Sequence, residues 1–511
     1  MKRLISILLL LCMLALSFGS LTACFDKNNT EKPGDCTNGH TDADSDDYCD
    51  ICSQSLMVVI DFYVINDLHG KFCDSGNQPG VDELASYLKA MREVDDNAVF
   101  LASGDMWQGT AESNLSGGLI VTEWMNQMGF VSMTLGNHDF DWGEEAIRDN
   151  LEIAEFPFLA INVYDKDTGR LADYCTPSVI VECDGIQVGI IGAIGDCYSS
   201  ISSDKVEGVE FKVGNDLANL VRAEAQALRQ AGADLIVYSI HDGAGSGSVG
   251  NGSISASKLQ SYYMPSLSNG VVDLVFEAHT HQSYTLSDSY GVYHIQAGGE
   301  NRGISHVEIA VNSVNGNNTV TEIGVVKSSV YSSYEDDAET EALEDKYSDI
   351  IDSSYSVLGS TSKYYDDYDL EDKVAQLYLD AGVEKWGENY DIVLGGGFLN
   401  TRSPYNLDYG TVTYAELLSL LPFDNNIVLC SISGSKLKNQ FVYTTNSNYH
   451  NAYSEYGEDL IGSISDYETY YIVVDTYTAL YKPNGLTIVE YYDYSTYARD
   501  LVAEAVRNGE L

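Results

Sequence analysis

Five short stretches carry side chains suited to holding metal ions: NDLHG (66–70), SGD (103–105), GNHD (136–139), HDG (241–243) and HTH (279–281). Imidazole and carboxylate groups suit zinc, manganese or iron, and thiolate is absent from the set. The chain has nine histidines, and His69, His138, His241, His279 and His281 all fall in these stretches. Core or surface histidines scattered independently would not cluster this way. Asp67, His69, Asp105, Asn137, His241, His279 and His281 are too many for one tetrahedral ion and suit two ions sharing a carboxylate. A pair of ions can hold both the attacking and the leaving oxygen of a phosphoryl displacement, and it lowers the pKa of water.

Something must bring five distant stretches together. Each follows a short apolar run: VVIDFYVIND, AVFLASGD, VSMTLGNHD, DLIVYSIHD and DLVFEAHTH. These runs, with FLAINV, VGIIGAIG and YHIQAGG, read as strands, several of them buried on both faces. Between them, DELASYLKAMREV and NDLANLVRAEAQALRQAG have the spacing of amphipathic helices. Alternation of strands and helices predicts a layered α/β fold, and the ends of such strands are where loops converge on ligands. With 511 residues, two domains are expected. The first spans 57–330. A strongly acidic segment, EDDAETEALEDKYSDIID (335–352), predicts a solvated connecting helix within 331–357, and a Tyr-rich mixed unit follows over 358–511.

Against 27 basic residues stand 77 acidic ones, a net charge of −50. That excludes DNA, RNA or a bare anionic lipid surface as the main partner. An anionic substrate therefore needs local positive charge, from metal ions or a placed Arg. At the N-terminus, Lys2 and Arg3 precede the apolar stretch Leu4–Phe18, too short for an ordinary membrane span, and then Leu21-Thr22-Ala23-Cys24. This resembles a bacterial lipoprotein signal, residues 1–23, with Cys24 as the lipidated residue. It implies an extracytoplasmic protein held to the bacterial cell membrane by a lipid anchor. Residues 24–55 form a tether containing Cys36, His40, Cys49 and Cys52, a candidate structural zinc site. A disulfide in an oxidising compartment, a calcium loop begun by Asp42, Asp44 and Asp46, and a plain acidic tether are the other readings. Cys175 and Cys183 flank an expected hairpin and could pair.

The motifs NDLHG, GDMWQG, GNHDFDWG, IHDG and AHTH, in this order, resemble the calcineurin-like metallophosphatases. Within them, spacing and length resemble the family of 5′-nucleotidases, UDP-sugar hydrolases and cyclic-nucleotide phosphodiesterases, over about residues 57–500. The resemblance implies a four-layered αββα metallophosphatase domain and a C-terminal α+β substrate-binding domain. It implies that Asp67, His69, Asp105 and His281 hold one divalent ion (zinc, manganese or similar). Asp105, Asn137, His241 and His279 would hold the other. His138 would then face the substrate, kept protonated by Asp141, while Asp139 serves the turn or the surrounding shell.

In the second domain, GGGFLNTRSP (395–404) and the Pro-Phe pair at 422–423 resemble the family's substrate site. The pattern maps phosphate binding to Gly396, Gly397 and Arg402, and base stacking to Phe423 and Tyr477. This half departs from the pattern: extra residues precede Arg402, Leu394 replaces an expected Asn, and the Gly-Gly-Asp expected after Tyr477 is absent. The expected activity is phosphate release from nucleoside 5′-monophosphates. UDP-sugars, 2′,3′-cyclic nucleotides or another phosphoester are the alternatives, and a non-catalytic phosphoester-binding lipoprotein is the distant one.

Overall fold

A computed structural model describes residues 36, 39–74, 79–243, 271–397, 406–442, 451–453, 460–480 and 485–511. The signal segment, Cys24 and Arg402 lie outside them. The chain divides into two compact units, one up to Met57 and one from Val58 onward.

In the larger unit, β1 (Met57–Ile65), β2 (Val99–Ala102), β3 (Ser132–Thr134) and β4 (Phe158–Leu159) lie side by side in parallel. Then come β5 (Val163–Asp165), the hairpin β6 (Ser178–Cys183) and β7 (Ile186–Ile194), β8 (Val209–Phe211), β9 (Leu235–His241) and β10 (Leu274–Glu277). Next are β11 (Ser283–Ser287), β12 (Tyr293–Ala297) and the hairpin β13 (Gly303–Asn312) and β14 (Asn318–Lys327). Two six-stranded sheets result, ordered β14-β13-β1-β2-β3-β4 and β11-β12-β10-β9-β7-β6.

Strand periodicity explains why both faces are buried. Along β1, Ile60, Phe62 and Val64 join Val188, Ile190, Val237 and Phe276 in the core between the sheets. The alternate residues Tyr63 and Ile65 point the other way. There they meet a layer with Leu84 and Leu88 of helix Val81–Val94 and Ile120 and Trp124 of helix Leu119–Met128. Helix Asn215–Gln230 covers the second sheet with Leu217, Val221 and Leu228. The expected αββα layering is present. Cys175 and Cys183 are both free thiols, at opposite ends of the β6 segment, so the suggested pairing is not made.

The acidic connector is a helix, Ala338–Ser354, capped by the Asp337 carboxylate, which accepts the Thr340 N–H at 3.0 Å. It is not solvated all round. Leu343, Tyr347 and Ile351, spaced by four, pack on the first domain's core. Lys89 bridges Asp337 and Glu339 at 2.7 Å each. Glu341, Asp345, Asp349 and Asp352 are exposed, whereas Glu344 turns inward beside Cys73.

The remaining strands are β15 (Val357–Thr361), β16 (Ile392–Gly397), β17 (Gly410–Thr413), β18 (Ile427–Ser433), β19 (Asn451–Tyr453), β20 (Thr469–Asp475) and β21 (Thr487–Tyr491). Five of them form a mixed sheet, β19-β16-β20-β18-β21. Helices Asp367–Trp386 and Ala498–Asn508 contribute to the core on one face, through Leu370, Val374, Val502 and Val506.

Candidate metal centre and active site

Strand register brings the five stretches together. Ile65 lies opposite Ala102, and Ala102 opposite Met133, so the turns after β1, β2 and β3 emerge side by side. In the second sheet, Ile194 lies opposite His241 and Ile240 opposite Glu277. At this edge Asp67, His69, Asp105, His279 and His281 all adopt left-handed backbone, with φ between 51° and 69°. Non-glycine residues pay about 1–3 kcal/mol each for such conformations, and they persist where the surroundings over-determine them. Gly104 and Gly136 permit the close approach: a Cβ on Gly104 would lie 2.5 Å from the His241 ring, and one on Gly136 2.2 Å from Asp105 Oδ1.

The side-chain atoms converge as ligands do. The His69 Nε2 and His281 Nε2 atoms face each other at 3.0 Å, and His281 Nε2 lies 3.4 Å from Asp67 Oδ1. Asp105 Oδ2 sits between two rings, 3.1 Å from His241 Nε2 and 3.9 Å from His69 Nε2. The ring tautomers are set by carbonyls, which can only accept: His69 Nδ1–H donates to Gln108 O at 2.9 Å, and His241 Nδ1–H to Ser103 O at 2.7 Å. This turns Nε2 of each ring toward the centre, as in metal sites whose second ring nitrogen is tied down. Asn137 Oδ1 and His241 Nε2 are buried and accept no hydrogen bond. Although His241 Nε2 is near Asp105, the two do not meet at a hydrogen-bonding angle. Such buried acceptors are costly unless a cation satisfies them. The donor set thus fits two divalent ions, with Asp105 placed to be shared.

Electrostatics without ions shows what the ions would relieve. Burial lowers the His241 pKa, but the adjacent Asp105 and Asp67 carboxylates overcome this and push it up to about 10. Burial opposes ionisation of Asp105, yet His241 and His138 hold its pKa well below the ordinary value. For His279, burial and the neighbouring His241 bring the ring down to about 4, the neutral form a ligand requires.

His138 stands beside this centre. Its backbone N–H donates to Asp105 Oδ1 at 2.7 Å, and its Nδ1 is 2.8 Å from Asp141 Oδ2. Asp139 plays a separate part. Its buried carboxylate accepts the N–H groups of Asp105, Met106 and Gly136 at 2.8–3.1 Å, tying the second and third turns together. A cavity of about 330 Å³ opens over the centre. His69, Asp105, Asn137, His138, His279 and His281 form its floor, and Phe423 and Tyr477 of the second domain border it.

Residues 60–283 match the calcineurin-like phosphoesterase family, and residues 357–457 match the 5′-nucleotidase C-terminal domain. The chain belongs to the 5′-nucleotidase-like metallophosphoesterases. It is 24% identical to an apyrase of Tabanus yao over 415 residues, covering 74% of this chain and 72% of that protein. It is 33% identical to a 5′-nucleotidase of Vibrio cholerae over 187 residues, 35% of this chain and 32% of the relative. In fold it is similar to the 5′-nucleotidase precursor of Thermus thermophilus, with a TM-score of 0.67 at 17% identity, covering 88% of this chain and 96% of that one. This metallophosphoesterase is a metal-dependent phosphoester hydrolase by its family.

Within it, the second-domain predictions fare unevenly. Phe423 reaches the site, its ring centroid 5.7 Å from that of His138, and Tyr477 lines the same cavity. Gly396 and Gly397 lie in β16, where a Cβ on Gly397 would stand 2.4 Å from Thr478 Oγ1; close packing accounts for that glycine. The residues that motif reasoning missed are Ser200, Ser202 and Lys205, in the turns after β7, and Asp424 and Asn425 beside Phe423. The first three carry no motif. The latter two had a signal in their adjacency to the Pro-Phe pair. Arg499 was also missed: buried, it donates to the Phe423 carbonyl at 3.2 Å and to the Tyr414 hydroxyl at 3.2 Å, and pairs with Asp424.

Proposed function

We propose that this hydrolase releases phosphate from nucleoside 5′-monophosphates outside the cytoplasm, anchored to the membrane through lipidated Cys24. The observation that carries the substrate reading is Phe423, an aromatic ring from the second domain placed directly across from His138 over the metal ligands. A base stacked there, with Tyr477 bordering the same space, would hold its 5′-phosphate toward the centre. The cavity is at the small end of the range for ligand sites, which favours a mononucleotide over a nucleotide-sugar.

When bound, the two divalent ions would supply Lewis-acid charge and acidify water beside the phosphoryl group. The chain's own residues do the rest. Asp141 holds the His138 ring through Nδ1 and favours its protonated form, so that Nε2 can donate to a phosphoryl or leaving oxygen. Lys205 adds positive charge at the cavity wall, which the acidic exterior does not. Phe423 and Tyr477 exclude water from one side.

The test is phosphate release by the metal-loaded protein from AMP and other 5′-monophosphates, beside UDP-glucose, 2′,3′-cyclic AMP and glycerophosphate. Products of the diphospho and cyclic substrates are followed by chromatography. Selective turnover of 5′-monophosphates is the expected result. Preference for another class would move the substrate and keep the centre, and no turnover with both ions bound would overturn the reading.

A further inference from the structure

We propose that Cys36, His40, Cys49 and Cys52 bind a structural zinc ion, making the segment before the catalytic unit a metal-folded module. One ligand atom from each of the four lies within 4.8 Å of the others. The Cys36 and Cys49 sulfurs are 3.7 Å apart, and Cys52 Sγ is 3.6 Å from His40 Nδ1. Zinc–sulfur bonds of about 2.3 Å at tetrahedral angles put two sulfurs about 3.8 Å apart, and a sulfur and an imidazole nitrogen about 3.6 Å apart. Both observed edges agree. A disulfide would need sulfurs at about 2.0 Å, and all three cysteines are free thiols.

The backbone is built for thiolates. Cys49 and Cys52 bracket a tight turn in which the Ile51 N–H donates to Cys49 Sγ at 3.4 Å and the Ser53 N–H to the Cys49 carbonyl at 2.7 Å. Ser53 leaves the turn with φ 59°, and Tyr48 and Ser55 bridge across it.

Packing cannot supply what holds this fold. Of the described residues between 36 and 57, only Cys49 and Leu56 are buried. A segment this short, without a core, needs a cross-link to order it. Three thiolates and an imidazole complete a tetrahedron with no open position, so the ion would be structural and not catalytic. Binding three soft thiolates also separates this site from the imidazole and carboxylate centre.

The full chain can be tested directly. Zinc per chain is measured by elemental analysis for the wild type and for a double variant, Cys49→Ser with Cys52→Ser. Cobalt-loaded samples are then scanned for the near-ultraviolet sulfur-to-cobalt absorption that only thiolate ligation gives. The expected result is loss of one metal equivalent and of that band in the variant, with phosphoester hydrolysis unchanged. Equal metal content, a band that survives the substitutions, or mass-spectrometric detection of a disulfide among the three cysteines in freshly isolated protein would each overturn the proposal.

Discussion

The two walls of the cavity are built by opposite means. The metal-ligand wall is made of turns leaving neighbouring parallel strands, with the carboxylates of Asp67 and Asp105 fully buried and five left-handed residues held in place. The substrate wall is made of a short stretch, Phe423–Asn425, between helix Tyr414–Leu420 and β18 and held by Arg499, together with Tyr477 after β20. A rigid wall suits reaction geometry, which tolerates little displacement. A wall carried on the connections at the ends of strands can change its ligand without disturbing the sheet. On the proposed function, the difference assigns the metal chemistry to the first domain and recognition of the base to the second.

Breaking the rigid wall should have the largest effect. Asp105→Ala removes the carboxylate shared by both halves of the centre, so phosphate release should fall to background and metal content should drop, read by a phosphate assay and elemental analysis. His138→Gln should lower kcat by about 10²–10⁴-fold while metal content stays at the wild-type level. Loss of metal in this variant would show that His138 is itself a ligand and erase the distinction between ligand and acid.

Changes in the second wall should act on KM. Phe423→Ala removes a stacking surface worth about 1–3 kcal/mol, a rise in KM of about 5- to 150-fold for nucleoside monophosphates. A phosphoester without a base, such as glycerophosphate, should feel little of this, and equal loss on both substrates would contradict the stacking role. Arg499→Met should raise KM in the same direction by a smaller factor, because it orients Phe423 through its carbonyl and does not line the cavity.

The smallest effect on activity sharpens the comparison from another side. His294 is also a buried histidine among carboxylates, with Nδ1 2.9 Å from Glu277 and Nε2 3.5 Å from Asp288. Both its nitrogens are engaged, so it is a fastening and not a ligand. Burial lowers its pKa, but Glu277 and Asp288 raise it to about 9, above the ordinary 6.5. A raised folded pKa contributes stability that is complete below about 6.5 and is lost as pH climbs through about 9. The linkage is on the order of 3 kcal/mol. His294→Gln should therefore flatten the dependence of Tm on pH between those values, with near-normal kcat at neutral pH.

The catalytic half was legible because its chemistry is written in local runs. An apolar strand followed by Asn-Asp-Leu-His, or by Gly-Asn-His-Asp, carries both the element and its cargo. The hairpin β13–β14 was less visible, since its strands bear no functional residue and no residue of β14 is fully buried. Lys205 and Arg499 were illegible for a different reason. Each acts across a long sequence separation, beside groups that no spacing rule connects to it. The acidic connector misled through composition: many exposed carboxylates masked the three apolar residues that dock it.

The amino-acid sequence alone determined the ligand types, the order of the strands that carry them, the layered α/β class and the acidic exterior, because these follow from residue chemistry and from periodicities of a few positions. Only the tertiary structure decided which ligand atoms meet, that Asp139 ties two turns together, and that Phe423 faces His138. Those outcomes depend on strand register and on left-handed turns, and such distances are set by packing across the whole chain.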